Sequence, residues 1–124
     1  MIGATERQFV DRQQEAVSPR VQRAVVQLAE AHDYAQDVRA ESWQYAVEVE
    51  SLLAAGAMAA DLKRLVQDGY AEHAREVTRP EDASRRFAPS RRLDFTRRTC
   101  FVLTEAGLRL TCVVPNRMPR RRAA

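Results

Sequence analysis

Apolar residues recur at helical spacing through the first half of the chain. Thr5 is placed to cap a helix over Glu6 to Ala16, with Phe9, Val10, Gln13 and Val17 along one side. Ser18-Pro19 is a better start signal, a hydroxyl followed by a proline whose missing N–H does no harm in a first turn. Behind it Val21, Val25, Leu28 and Ala31 share one face, with Arg20, Arg23, Gln27 and Glu30 on the other. The polar run His32 to Arg39 predicts a connection. Ser42 then caps a third helix from Trp43 to Ala55, in which Trp43, Ala46, Val47, Val49, Leu52 and Leu53 cover most of the circumference. A helix that apolar belongs at the centre of the core, with Trp43, Val47 and Leu53 buried. Gly56 ends it. A fourth helix spans about Met58 to Asp68. Met58, Leu62, Leu65 and Val66 face inward, Asp61, Lys63, Arg64 and Gln67 face outward, and Gly69 closes it.

The period then changes to two. Tyr70 to Val77 alternates, with Ala71, His73, Arg75 and Val77 on one face, and predicts a strand. Thr99 to Thr104, β-branched and aromatic, is the strongest strand in the chain. The polar insert between them, Thr78 to Arg98, is long for a hairpin loop and invites a functional reading. Thr104 can cap a last helix through Leu110, but the alternation Leu108, Leu110, Cys112, Val114 also suits a strand. The expected fold is therefore mainly α with a two-stranded β-hairpin. Residues 1–114 form a single domain carrying a long basic loop over 78–98, and 115–124 form a basic flexible tail.

Composition adds limits rather than chemistry. The 124 residues are 45% hydrophobic and 30% charged, which supports one folded domain with its own core. No stretch of 18 apolar residues is present, and Met1 to Val17 lacks the apolar centre of a secretory signal. The expected location is cytoplasmic, with no membrane partner. Cys100 and Cys112 are too few for a disulfide framework. His32, His73 and Cys100 lack metal-ligand spacing. His73 and Cys100 could face each other across the hairpin, yet no third group or oxyanion loop accompanies them. Glu48 and Glu50 fall on different helix faces, and no phosphate-cradling glycine loop exists. Neither an enzyme nor a cofactor is expected.

Charge changes the picture more. Residues 1–77 carry eight basic and 13 acidic side chains, a net of −5, whereas residues 78–124 carry 12 and four, a net of +8. Such asymmetry suggests that one end meets a polyanion. Nineteen of the 20 basic residues are arginine, a skew that base composition of the gene also produces.

In order, residues 42 to 110 read helix, tight turn, helix, Gly-aromatic, strand, loop, strand, Leu-Thr-Glu-Ala-Gly. The segments Leu62-Lys-Arg-Leu-Val-Gln-Asp-Gly-Tyr-Ala-Glu-His73 and Phe101-Val-Leu-Thr-Glu-Ala-Gly107 resemble the wing region of the winged helix-turn-helix superfamily, particularly MarR-like and PadR-like bacterial regulators. The resemblance implies a winged helix-turn-helix fold, transcription regulation, and double-stranded DNA as the partner. The first segment would end the recognition helix and enter the wing, and the second would leave the wing. It also implies a homodimer through helices outside the wing, here those before residue 34.

One departure stands out. A recognition helix reads bases with polar residues at its start, and here that start is Ala57-Met58-Ala59-Ala60-Asp61. Asp61 would repel phosphate unless it caps the helix. Lys63, Arg64 and Gln67 remain to hold the DNA backbone. The basic charge lies in the loop, as Arg79, Arg85, Arg86, Arg91, Arg92, Arg97 and Arg98, and in the tail, as Arg117, Arg120, Arg121 and Arg122. Guanidinium groups fork onto phosphate oxygens and fit narrow minor grooves. Phe87 and Phe95 are interleaved with the loop arginines; the plainer reading packs both back on the core and leaves the charge as a solvated face. The expected function is DNA binding dominated by phosphate contacts, as a regulator or accessory factor. The alternative is a protein-interaction module, since an alanine-rich helix start suits close packing against a protein partner.

Overall fold

The computed structural model describes residues 18–111. The helix expected over Glu6 to Ala16 and the tail 115–124 lie outside the described residues. The elements are α1 (Pro19–Asp37), a 3-10 turn (Ser42–Tyr45), β1 (Val47–Glu48), α2 (Val49–Ala54), α3 (Ala59–Gln67), β2 (Ala71–Glu76), β3 (Phe87–Pro89), β4 (Thr99–Leu103) and α4 (Glu105–Leu110).

The strands form one antiparallel sheet in the order β1-β4-β2-β3. This corrects the expectation of a mainly α, winged helix-turn-helix fold with a two-stranded hairpin: four strands are present, and with four helices the described chain is α+β. The expected pair β2 and β4 is there, antiparallel, with Ala71 opposite Leu103 and Arg75 opposite Thr99. Two short strands flank it. Val47 pairs with Phe101 on one side, and Phe87 pairs with Glu76 on the other. All five residues of β4 are buried. A strand apolar on both faces is a central one, with neighbours on both edges and cover above and below.

The same pairing breaks the expected helix from Trp43 to Ala55. Its first residues form the 3-10 turn, Ala46 turns extended at ψ 141°, and β-branched Val47 joins the sheet. Only Val49–Ala54 is α-helical. The burial register shifts with it. Leu52 is fully buried whereas Leu53 is 42% exposed, Trp43 is half-buried, and of the three expected core residues only Val47 is buried. Met58, expected on the inner face of the next helix, instead occupies its N-cap and is 53% exposed.

The connection expected from His32 is also corrected. α1 continues to Asp37 and buries Ala35. It closes with Ala40 N–H on the Ala35 carbonyl (2.9 Å) and Arg39 N–H on that of Gln36 (3.2 Å). α2 and α3 close alike, with Ala57 on Leu52 (3.1 Å) and Tyr70 on Leu65 (2.9 Å). This pairing needs a left-handed residue after the cap. Gly56 and Gly69 supply it at φ 114° and 81°, while at α1 it is Arg39 at φ 56°. An arginine there gives no glycine signal, so the end of α1 cannot be seen in the sequence.

Leu28, Leu52, Leu62, Leu65, Phe101 and Leu103 form the main core between the helices and one face of the sheet. α4 locks the end of α3 to it. The Thr104 hydroxyl donates to the Gly69 carbonyl and accepts from Gly107 N–H, and Thr104 N–H donates to the Tyr70 carbonyl at 3.1 Å. A Cβ at Gly107 would overlap that Tyr70 carbonyl. The Asp-Gly-Tyr and Leu-Thr-Glu-Ala-Gly segments are therefore two halves of one contact. Residues 108–110 are helical, which settles the helix-or-strand alternative there.

Leu52→Ala should cost about 2–5 kcal/mol of stability, the range for buried leucine truncations. Leu53→Ala should cost under about 1 kcal/mol, as for a surface change. Equal midpoint shifts in urea denaturation would contradict this placement of α2.

Candidate nucleic-acid interface

The insert from Thr78 to Arg98 is folded, not an open loop. Val77 N–H donates to the Arg86 carbonyl (2.8 Å) and Arg86 N–H to the Thr78 hydroxyl (2.8 Å). Arg79 N–H donates to the Asp82 carboxylate at 2.8 Å, making the turn at the tip. After β3, Pro89 ends the ladder because it has no N–H to donate. The chain then crosses the core face of the sheet. Phe95 packs edge-on against Phe101 with ring centres 5.0 Å apart, and His73 Nε2 meets the Arg92 carbonyl at 2.8 Å. Phe87 packs against Trp43 at 5.2 Å. Both phenylalanines are packed back on the protein, as the plainer reading expected.

The arginines divide into three sets. Arg85 faces inward. Its Nε and one terminal nitrogen fork onto the Glu76 carboxylate at 3.0 Å each. Its other nitrogen donates to the carbonyls of Gln44 (3.2 Å) and Ala46 (2.9 Å). The guanidinium lies 5.1 Å from the centre of the Phe87 ring. Gln44 completes the clasp through its amide, which accepts from Arg85 N–H at 2.9 Å and donates to the Arg85 carbonyl at 3.0 Å. Arg85, counted at the outset with the phosphate-binding residues, has its donors turned into the fold.

A second set is tied to carboxylates at the surface. Arg86 lies 3.8 Å from Asp82, Arg97 3.4 Å from Glu50, and Arg64 3.7 Å from Asp68. Exposed pairs of this kind are weak and leave most of the guanidinium to solvent.

The third set has no ion pair among the described residues: Arg91 and Arg92, with Arg79 and Arg98. Arg91 and Arg92 line a concavity of about 530 Å³ on the insert together with Arg75, Ser90, Asp94, Thr96 and Thr99. Arg75 was not among the residues expected at the site. Its signal was the alternation of β2, which puts it on the face of His73, where the returning chain passes. Asp94 is the one carboxylate at this concavity. Three exposed guanidinium groups against one carboxylate make a local positive potential suited to a phosphate.

Lys63 and Gln67 are exposed on α3, and among the described residues no hydrogen bond or ion pair joins either to an arginine of the insert. Arg120, Arg121 and Arg122 lie outside the described residues. Asp61 caps its own helix. Its carboxylate accepts from Met58 N–H at 2.9 Å and pairs with Arg20 at 3.2 Å, so its charge is held at the helix start.

No catalytic pair forms at the hairpin. His73 stands opposite Phe101 and Ala74 opposite Cys100, so His73 and Cys100 point to opposite faces of the sheet. Burial pushes the Cys100 thiol up to about 11, leaving it protonated at neutral pH. Hydrogen bonds from Arg85 hold the Glu76 carboxyl below its usual value, against the opposing effect of burial. Among the described residues no group of three His, Cys, Asp or Glu is placed to hold a metal ion, and no helix is long and apolar enough to cross a membrane. No protein-family model, curated protein or solved structure was found to match the chain.

Because the folded pKa of Glu76 is lowered, its bond to Arg85 stabilises fully above the unfolded value and is lost as pH falls through the folded one. Wild-type stability should therefore fall in acid below about pH 4.5, and Glu76→Gln should lack that share of the fall. Arg85→Ala, which leaves a partly buried carboxylate unpaired, should cost about 3 kcal/mol at neutral pH. Urea denaturation of the three proteins across this range is the test.

Proposed function

We propose that this protein binds double-stranded DNA through its phosphates, with the concavity of Arg75, Arg91 and Arg92 at the centre of the contact. The observation that carries this reading is the convergence of three exposed arginines, none paired with a carboxylate among the described residues, on one concave surface between the insert and β2. Ser90 and Thr96 bring hydroxyls to the same place.

Binding on this reading is electrostatic and only weakly selective. The start of α3 offers Ala59 and Ala60, which make no base hydrogen bonds, and Asp61 is engaged in capping and in its pair with Arg20. A phosphate-dominated contact suits an accessory or architectural factor better than a regulator that must find one operator.

Binding of a random-sequence duplex, followed by fluorescence anisotropy over a salt series, tests the proposal. Each phosphate neutralised contributes about −0.9 to the log–log slope. The triple variant Arg75→Ala, Arg91→Ala, Arg92→Ala should flatten the slope by about 2.7 and weaken binding to all sequences alike. All three side chains are exposed, so the variant should keep the wild-type melting curve. No duplex binding at low salt, or binding untouched by the triple change, rejects the reading.

A further inference from the structure

Among the described residues, only a few side chains cover the face of the sheet away from the helices. Ala46, Cys100 and Val102 are buried there against Trp43 and Phe87, with Arg85 and Glu76 also on Cys100, and both of those rings are half-buried. Beside them runs an open groove of about 770 Å³, which reaches from the end of α3 across Ala74 to exposed Pro89. Its volume is that of a site for several side chains. Two exposed carboxylates, Glu41 and Glu72, line it, and neither has an ion-pair partner among the described residues. Arg85 also reaches the groove, but its charge is held by the fork onto Glu76.

Aromatic faces with unpaired carboxylates beside them are complementary to one chemistry. Cationic side chains place their charge over an aromatic ring or against a carboxylate while their methylene stems cover apolar surface. Proline, which brings no N–H to be met, and aliphatic side chains fill the intervening space on Trp43, Phe87 and Pro89. An acidic segment would meet Glu41 and Glu72 with like charge. We propose that this groove docks an extended segment of a partner protein that carries arginine or lysine among proline and aliphatic residues. The inference does not rest on the DNA reading, because no residue of the Arg75–Arg91–Arg92 cluster lines the groove.

Trp43 is the single tryptophan in the chain, so its emission reports on this groove alone. The probe is a synthetic peptide of alternating arginine, proline and valine, titrated into the full chain, with its glutamate-for-arginine counterpart as control. The arginine peptide should shift Trp43 emission saturably and the glutamate peptide should not. Glu41→Lys and Glu72→Lys should each weaken binding by about threefold to tenfold, as expected when an attractive exposed charge becomes repulsive. Both positions are exposed, so each variant should melt as the wild type does, and the Arg75, Arg91, Arg92 triple variant should bind the peptide normally. No saturable shift at millimolar peptide overturns the proposal. So does equal binding of the two peptides, or full affinity in both charge-reversed variants. Loss of peptide binding in the triple variant also overturns it, since the segment would then be held by the arginine concavity.

Discussion

The structure depends on a single clasp, the guanidinium of Arg85 held among Glu76, Gln44 and Ala46. These groups come from three places in the chain: the turn before β1, the end of β2, and the first half of the insert. None of them closes a local structure of its own. Arg85 supplies five donors in a rigid fork, two for the Glu76 carboxylate and others for two backbone carbonyls. A lysine could reach the same place but could not fork, and would leave carbonyls unmet in a partly buried site. Through this clasp the insert is held against the sheet, and β3 is set beside the last three residues of β2. Phe87 then comes down on Trp43, and the returning chain is aimed back across His73 and Phe101. Both the positive concavity and the groove on the other face follow from that placement.

The parts of the fold legible in the sequence are those decided by short-range chemistry. Gly69 announces the end of α3, Thr104 announces α4, and the β-branched run Thr99–Leu103 announces a strand. What was not legible depends on partners far away in the chain. Trp43 to Ala55 is apolar almost all round, and periodicity cannot separate a buried helix from a turn, a strand residue and a shorter helix. The decision belongs to Phe101, which needs Val47 as a neighbour on its free edge. The uniform burial of β4 held that information, since a single hairpin leaves a strand with an open edge. β3 is hidden for the same reason: Phe87-Ala-Pro89 has no strand signature of its own and exists because Glu76 and Arg75 present an edge to it.

The candidate site divides along the same line. Arg91 and Arg92 stand out as charge in the sequence, and the structure gives them a concave setting. Arg75 was legible only as a face of β2, and its meeting with the other two depends on where the chain returns after Pro89. Arg85 and Arg86 are adjacent and identical in type, and no local feature separates the one that builds the fold from the one that faces solvent. The distinction lies in Gln44 and Glu76, 41 and nine residues away. Charge counts along a chain therefore overstate a binding surface wherever an arginine has a buried carboxylate within reach.

Pro89 and Ser90 line both concavities, so a two-residue ridge separates a positive surface from a negative one. The position of the ridge follows from Pro89, which ends β3 and turns the chain from the outer face of the sheet toward the core face. On the proposed readings, a DNA phosphate on one side of that ridge and a basic segment of a partner on the other bring opposite charges toward each other across it. Each ligand would then lower the electrostatic cost of the other rather than compete, and linkage requires that help to be reciprocal. Charge of this range is screened over about 10 Å at ordinary salt. The coupling would accordingly be strongest at the low ionic strengths where the arginine concavity would hold phosphate most tightly. Steric overlap is the only way for the two ligands to exclude one another, and the ridge is where it would occur.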